Sequence, residues 1–346
     1  MAACRDRGTH VRRRKPRTIT SMNTPPRYRA PAWLPGGNLQ TLYPALLAPR
    51  PRVRYRRQRW DTPDSDFIDL DWIENQDSGL EIADQERPLL VLFHGLEGSS
   101  NSHYARALMH AARQRGWQGV VVHFRGCSGE INRLPRAYHS GDSTEIDWIL
   151  RRLRMLHGNG PLFAVGVSLG GNALLKWLGE QGEAAHAVVQ RAAAISAPID
   201  LHAAGNALEQ GFNMVYTKNF LATMKRKSLA KLHVHPGLFD ETRLRATRTL
   251  REFDDLITSR LHGYDGVDDY YTRASSKPHL ARIAVPTLLL NARNDPFLPG
   301  TTLPDPVQLS AAVTAAFPDQ GGHVGFPDDK GTLTWMPQAV IEFVTL

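Results

Sequence analysis

Short runs of apolar residues alternate along the chain with amphipathic stretches of helical length. Residues 89–93 are continuously apolar, which is typical of a strand buried on both faces. The stretch 102–115 has apolar residues at helical spacing and ends at Gly116. Further strands are predicted at 119–124, 161–167, 192–196, 287–291 and 313–316, and further helices at 142–156 and 337–344. This alternation predicts an α/β fold with a doubly wound, mostly parallel sheet.

The alternation breaks between residues 199 and 277, where the pattern is helical and mixed in charge. An insertion after the sixth strand of such a sheet would cover the site, so this stretch is predicted to be a helical lid. Residues 220–232 are basic and amphipathic. The favoured interpretation is that they pack an apolar face over the pocket or core. The alternative is a peripheral contact of the lid with an anionic membrane surface.

Before the first buried strand, residues 50–59 and 67–72 partly alternate in polarity around a turn rich in Asp, Pro and Ser. Two such runs predict a hairpin at the sheet edge. Asp61, Asp64 and Asp66 lie in this turn, but the glycine and the closing glutamate of a calcium loop are missing. The three aspartates are therefore interpreted as turn residues.

Composition places the chain among ordinary globular proteins, with 346 residues, 42% of them hydrophobic and 22% charged. This length suits one large domain with an inserted subdomain. Cys4 and Cys127 are the two cysteines, too few for a disulfide framework or a zinc site. They favour a reducing compartment, so a cytoplasmic location is predicted. We expect neither a metal nor another cofactor.

Most of the net charge of +8 lies at the N-terminus. Residues 1–21 contain seven Arg and Lys against one Asp, which leaves +2 for residues 22–346. A nucleic-acid partner is therefore not predicted for the domain. The tail has no apolar core of a secretory signal, although it resembles a transit peptide or a basic arm in composition. The favoured interpretation is a translation start at Met22 or a disordered extension.

The strongest chemical signal is Gly166-Val167-Ser168-Leu169-Gly170, between a predicted strand and a predicted helix. In that setting a sharp turn exposes the serine hydroxyl above the sheet. Gly166 and Gly170 let strand and helix approach closely, and the Leu169 N–H would face negative charge beside Ser168. Chance gives roughly 0.1 such matches in a chain of this length. Glycine-rich turns that hold phosphate in nucleotide-binding folds are the other alternative.

A nucleophilic serine needs a base and an acid, and two candidates follow later strands. Asp295 follows the strand at 287–291, and His323 follows the strand at 313–316. Both would leave carboxyl ends of strands, in the order Ser, Asp, His that α/β-hydrolases use. Weaker candidates for the acid are Asp265, Asp268, Asp269, Asp319 and Asp328.

The turn after the strand at 89–93 should supply a second oxyanion donor. His94 and Gly95 open this turn, and the backbone N–H of Leu96 is the predicted partner of the Leu169 N–H. We expect His94 to shape the oxyanion loop and not to act as the base. His123 and His139 come too early in the chain for that role.

Several separate motifs carry a family resemblance. They are 34–41 (LPGGNLQT), 94–104 (HGLEGSSNSHY), 123–129 (HFRGCSG), 166–172 (GVSLGGN), 293–296 (RNDP) and 321–326 (GGHVGF). Together they resemble the YheT-like α/β-hydrolases, which are related to the animal ABHD lipases and the fungal medium-chain ester synthases and esterases. The resemblance covers about residues 25–346. It implies an esterase with the triad Ser168, Asp295 and His323. Asn38 stands where the pattern has histidine, and residues 1–21 match nothing in the family.

The resulting prediction is a serine carboxylesterase with an α/β-hydrolase fold that acts on a small-molecule acyl ester. The resemblance implies short- to medium-chain acyl groups. The insertion agrees with a finite apolar pocket, with candidate wall residues Phe212, Met214, Phe220, Leu221 and Met224. Acyl transfer to an alcohol and thioester hydrolysis are alternatives on the same triad. A non-catalytic scaffold that binds a ligand is the alternative outside enzymes, and the oligomeric state stays open.

Overall fold

A computed structural model describes residues 27–74 and 86–346. Their strands form one sheet in the order β1-β2-β4-β3-β5-β6-β7-β8. These strands are β1 Tyr55–Asp61, β2 Phe67–Ile73, β3 Leu89–Phe93, β4 Gln118–His123, β5 Leu162–Val167, β6 Arg191–Ile195, β7 Thr287–Leu290 and β8 Val313–Ala316. The pairs β1–β2 and β2–β4 are antiparallel, and the remaining pairs of neighbouring strands are parallel. The predicted fold class is confirmed. The basic tail at 1–21 lies outside the described residues.

Helices cover both faces of the sheet because its strands are apolar on both sides. In β3, Leu89, Val91 and Phe93 face one core, and Leu90 and Leu92 face the other. The first core is closed by α3 Ser143–His157 and α4 Leu169–Gln181, and the second by α2 His103–Gln114 and α11 Trp335–Thr345. No helix of the described residues is long and apolar enough to cross a bilayer.

Helix α3 begins where the sequence predicts a helix, with Asp142 as its N-cap residue. The Asp142 carboxylate accepts the Glu145 N–H, as an N-cap does. The Glu145 carboxylate does not return this bond, because it accepts Arg125 Nε at 2.7 Å. Arg125 also pairs with Asp64 and Asp66, so these two aspartates of the turn between β1 and β2 belong to an ion-pair network with Glu145. Among the described residues no acidic, histidine or cysteine cluster is suited to a metal ion.

A helix missing from the sequence prediction, α1 Gly37–Leu46, precedes the hairpin. It contains Pro44 and has no side-chain N-cap, so the usual start and stop signals are absent. Its Gln40 and Thr41 are buried.

Six α-helices lie between β6 and β7, where the alternation breaks. They are α5 Leu201–Leu208, α6 Asn213–Val234, α7 Glu241–Ala246, α8 Leu250–Phe253, α9 Ser259–Leu261 and α10 Val267–Ala274. The apolar side of 220–232 packs inward as predicted: Leu221 is buried in an apolar core of the insertion, and Phe220 and Met224 pack against that core. A basic residue of the same stretch is buried as well, since Lys231 is only 6% exposed and donates to Asn132 Oδ1, Leu134 O and Arg136 O. Lys227 likewise turns inward, toward Glu97.

Candidate active site

The turn from β5 into α4 holds Ser168 in strained backbone. Its backbone angles, φ 52° and ψ −121°, are rarely adopted by residues other than glycine, and such backbone strain is typical of functional sites. A Cβ on Gly166 would collide with Gly170 O, and one on Gly170 would lie 2.6 Å from His94 O. Strand, helix and the loop after β3 therefore approach each other only because both positions are glycine.

The structure brings Ser168, His323 and Asp295 together from three different loops. Ser168 Oγ lies 2.9 Å from His323 Nε2, and His323 Nδ1 lies 2.7 Å from Asp295 Oδ2. The Asp295 carboxylate is fully buried and also accepts the Phe297 N–H at 2.8 Å. Since a carboxylate only accepts here, Nδ1 carries the proton and Nε2 presents its lone pair to the serine.

The competing carboxylates bond elsewhere. Asp268 pairs with Arg251 and Asp269 with Arg273. Asp265 lies beside Asp269, to whose carboxylate its backbone N–H donates. The other two also lie apart from the imidazole: Asp319 is near Arg293, and Asp328 accepts from Thr332 and Thr334. Asp295 is thus the candidate acid that contacts His323.

The loop after β3 lies directly against Ser168. A Cβ on Gly95 would be 3.0 Å from Ser168 Cβ, and the Gly95 N–H donates to Tyr104 OH at 2.9 Å. Leu96 and Leu169 line the same cavity as Ser168. Leu169 is the first residue of α4, where backbone N–H groups have no acceptor within the helix. Their predicted role as oxyanion donors stays a prediction.

His94 supports this loop from inside the protein. Its Nε2 accepts the Phe124 N–H at 3.1 Å, so the proton lies on Nδ1 and is donated to Gly95 O at 2.7 Å. Burial, followed by the charge of His123, lowers the pKa of His94 to about 3. His94 is therefore a neutral structural residue at physiological pH. Its bonds to Gly95 O and the Phe124 N–H fix the turn on which Leu96 lies.

This burial predicts a loss of stability in acid. The unfolded chain takes up a proton at an ordinary histidine pKa near 6.5, whereas folded His94 stays neutral down to about pH 3. Stability from this group is present above pH 6.5 and falls as the pH drops from 6.5 toward 3. Between pH 7 and 5.5 the wild type should lose about 1 kcal/mol more unfolding free energy than His94→Gln. Urea unfolding at both pH values measures this, and equal losses would contradict it.

A cavity opens above Ser168 between the sheet and the inserted helices, with a volume of about 1260 Å³ including its mouth. Its apolar lining comes mainly from the insertion and includes Leu201, Leu208, Phe220, Met224, Phe253, Ile257 and Leu261. A polar side includes Glu97, Arg125, Tyr138, Lys227 and Lys231. Phe220 and Met224 are thus predicted wall residues that do line the cavity.

The other three predicted wall residues do not line it. Leu221 is buried in the core of the insertion, and Phe212 is 51% exposed. Met214 is absent from the lining as well. A period-3.6 pattern shows that a helix has an apolar side, but it does not tell which apolar residue meets the core and which the cavity.

The sequence assigned no role to the start of α1. Asn38 Oδ1 accepts Tyr216 OH at 3.0 Å, so the departure from the family pattern lies where α1 meets α6. Gln40 and Thr41 contact the loops of Asp295 and His323.

Comparison with known proteins agrees with this architecture. A family model described as the alpha/beta hydrolase fold matches residues 88–330. The putative esterase YheT of Escherichia coli K12 is 43% identical over 314 residues, covering 89% of this chain and 90% of that protein. Human phospholipase ABHD3 is 31% identical over 301 residues, covering 86% and 73%. An esterase structure from Pyrococcus furiosus superposes with a TM-score of 0.52 at 15% identity, covering 93% and 98%, and supports the fold alone.

The family model covers the parallel part of the sheet, from β3 to β8, and includes the Ser168 turn, Asp295 and His323 within its limits. The match to the Escherichia coli protein extends over nearly the full length of both chains. The chain belongs to the YheT-like family of α/β-hydrolases, and it is a hydrolase.

Proposed function

We propose that this hydrolase is a serine carboxylesterase that cleaves short- to medium-chain acyl esters. One observation carries the proposal. Ser168 Oγ is 2.9 Å from a histidine nitrogen whose partner nitrogen is 2.7 Å from a buried carboxylate, beside a largely apolar cavity. The names of the relatives as an esterase and a phospholipase support an ester substrate.

In the proposed reaction, Ser168 Oγ attacks the ester carbonyl carbon while His323 Nε2 takes its proton. Asp295 stabilises the imidazolium that forms. The backbone N–H groups of Leu96 and Leu169 donate to the oxyanion of the tetrahedral intermediate. His323 then protonates the leaving alcohol, which leaves an acyl-enzyme. Water, deprotonated by His323, attacks that acyl group and releases the carboxylic acid and free Ser168.

We further propose that the insertion at about 199–277 acts as a lid that takes the acyl chain. Its apolar side chains provide most of the cavity lining, and an ester chain gains roughly 0.8 kcal/mol for each CH₂ that it buries there. The inward contacts of Lys227 and Lys231 remove two charges from the surface that would meet an anionic membrane. A peripheral membrane contact is therefore not part of this proposal, and the cytoplasmic location stays a prediction.

A finite cavity predicts an optimum in acyl chain length. We expect kcat/KM for p-nitrophenyl esters to rise from acetate, to peak at an intermediate length and to fall for palmitate. Phe220→Ala should move the optimum toward longer chains, because the side chain lines the cavity. Phe212→Ala is the matched control, since Phe212 is 51% exposed and should leave the optimum unchanged.

These rates are measured with purified protein below the concentration at which the esters aggregate. A rate that climbs steadily to palmitate, with activation at a lipid interface, would contradict the finite pocket and favour a lipase. Product analysis in the presence of ethanol separates hydrolysis from acyl transfer. Free acid is the expected main product, and ethyl ester as the main product would favour the transferase alternative.

A further inference from the structure

The loop that carries His323 has no helix or strand of its own between β8 and α11. Three consecutive backbone N–H groups in it donate to side chains instead. Gly321 N donates to Gln40 Oε1 at 2.8 Å, and His323 N donates to Thr41 Oγ1 at 2.8 Å. Gly322 N donates to Asn294 Oδ1 at 3.1 Å. The backbone position of the histidine is thus fixed by two side chains of α1 and one residue next to Asp295.

Gln40 joins the loop of the acid to the loop of the base. The same Oε1 atom that accepts Gly321 N also accepts Asn294 Nδ2 at 2.9 Å. Its Nε2 donates to Leu34 O at 2.9 Å and to Gln320 Oε1 at 2.8 Å. The Gln40 side chain is fully buried, and its bonds to Leu34 O and Gly321 N are shielded from solvent. Movement of α1 would therefore displace both loops.

The backbones of α1 and the two loops are also in direct contact. A Cβ on Gly322 would lie 2.8 Å from Gly37 O and from Thr41 N, and a Cβ on Gly325 would collide with Gln40 O. A Cβ on Gly37 would collide with Asn294 O. Glycine at these positions allows the segments to lie in backbone contact, close enough for Gln40 and Thr41 of α1 to accept bonds from the His323 loop.

We propose that Gln40 and Thr41 are positioning residues of the hydrolytic site, which hold His323 and Asp295 in reactive geometry without touching substrate. This inference rests on the proposed function of the triad. The contacts from Oγ to Nε2 and from Nδ1 to Oδ2 span only 2.9 and 2.7 Å. A displacement of about 1 Å at a catalytic group is enough to cost up to about 10²-fold in rate. The loss should appear in kcat and not in KM, because neither residue lines the cavity.

The test compares Thr41→Val, which keeps the shape and removes the hydroxyl, with Thr41→Ser, which keeps the hydroxyl. Thr41→Val should lower kcat by about tenfold or more with KM within about twofold, and Thr41→Ser should stay close to wild type. Thr287→Val is the matched control. Thr287 is buried like Thr41, and its hydroxyl donates to Val285 O at 2.7 Å, away from the site. This control should lose stability without losing kcat.

Gln40→Ala removes four bonds and should lower kcat further, by up to about 10²-fold. The second readout is the low-field proton resonance of the His323–Asp295 hydrogen bond, which should broaden or move in Thr41→Val and stay in Thr287→Val. Equal kcat in Thr41→Val and Thr287→Val would overturn the inference, and so would equal losses in Thr41→Ser and Thr41→Val. Failure of the proposed function looks different, because the wild type itself would then resist fluorophosphonate labelling.

Discussion

Ser168→Ala should abolish covalent labelling by a fluorophosphonate and lower ester hydrolysis by about 10⁴-fold or more. The reason is that Ser168 Oγ is the atom within 2.9 Å of His323 Nε2, and alanine leaves the base without a nucleophile. The variant should still fold, because the backbone N–H and C=O of residue 168 keep their bonds to Ile195 O and Asn172 N. Labelling, initial rates and thermal unfolding measure the three expectations.

Ser228→Ala is the matched control for this experiment. Ser228 lines the same cavity from α6, so its removal changes the polarity of the pocket by a similar amount. We expect it to be labelled and to hydrolyse esters at nearly the wild-type rate. Labelling that persists in Ser168→Ala, or that disappears in Ser228→Ala, would show that the nucleophile has been misassigned.

The central sheet could be predicted from the sequence because each buried strand is a short apolar run that ends in a loop signal. Val313–Ala316 has the predicted bounds, and the strand at 287–291 differs by one residue at its end. The candidate triad was predictable for the same reason. The carboxyl ends of parallel strands lie at one edge of the sheet. Ser168, Asp295 and His323 follow β5, β7 and β8, which lie near each other in the sheet, so the three residues meet at that edge.

Contacts between distant segments were not predictable in the same way. Gln40 and Gly321 are 281 positions apart, and nothing in the local pattern of either segment indicates their bond. Lys231 is a second residue whose environment could not be predicted from the sequence. A lysine on a helix is expected in solvent, but here backbone and side-chain oxygens of residues 132–136 surround its Nζ and replace water. The local hydrophobic pattern does not indicate such bonding partners, which lie far away in the sequence.

The remaining large effect concerns the other two members of the proposed triad. Asp295→Asn should lower kcat by about 10⁴-fold, because an amide in place of the buried carboxylate favours the tautomer with its proton on Nε2. His323→Ala should lose at least as much, with smaller changes in KM. Asp269→Asn is the control, since that carboxylate pairs with Arg273 on the insertion and should leave kcat unchanged.

The double variant gives the sharper result. If Ser168, His323 and Asp295 act as one unit, Asp295→Asn has little left to remove once His323 is alanine. The double variant should then lose about as much kcat as His323→Ala alone. If the two residues acted independently, the fold losses in kcat of the two single variants would multiply in the double variant. Steady-state kcat for the wild type, both single variants and the double variant closes this cycle. Asp295 would not be the acid of the triad if the losses in kcat multiplied in the double variant. The same would follow if Asp295→Asn kept a near-normal kcat while Asp269→Asn lost it.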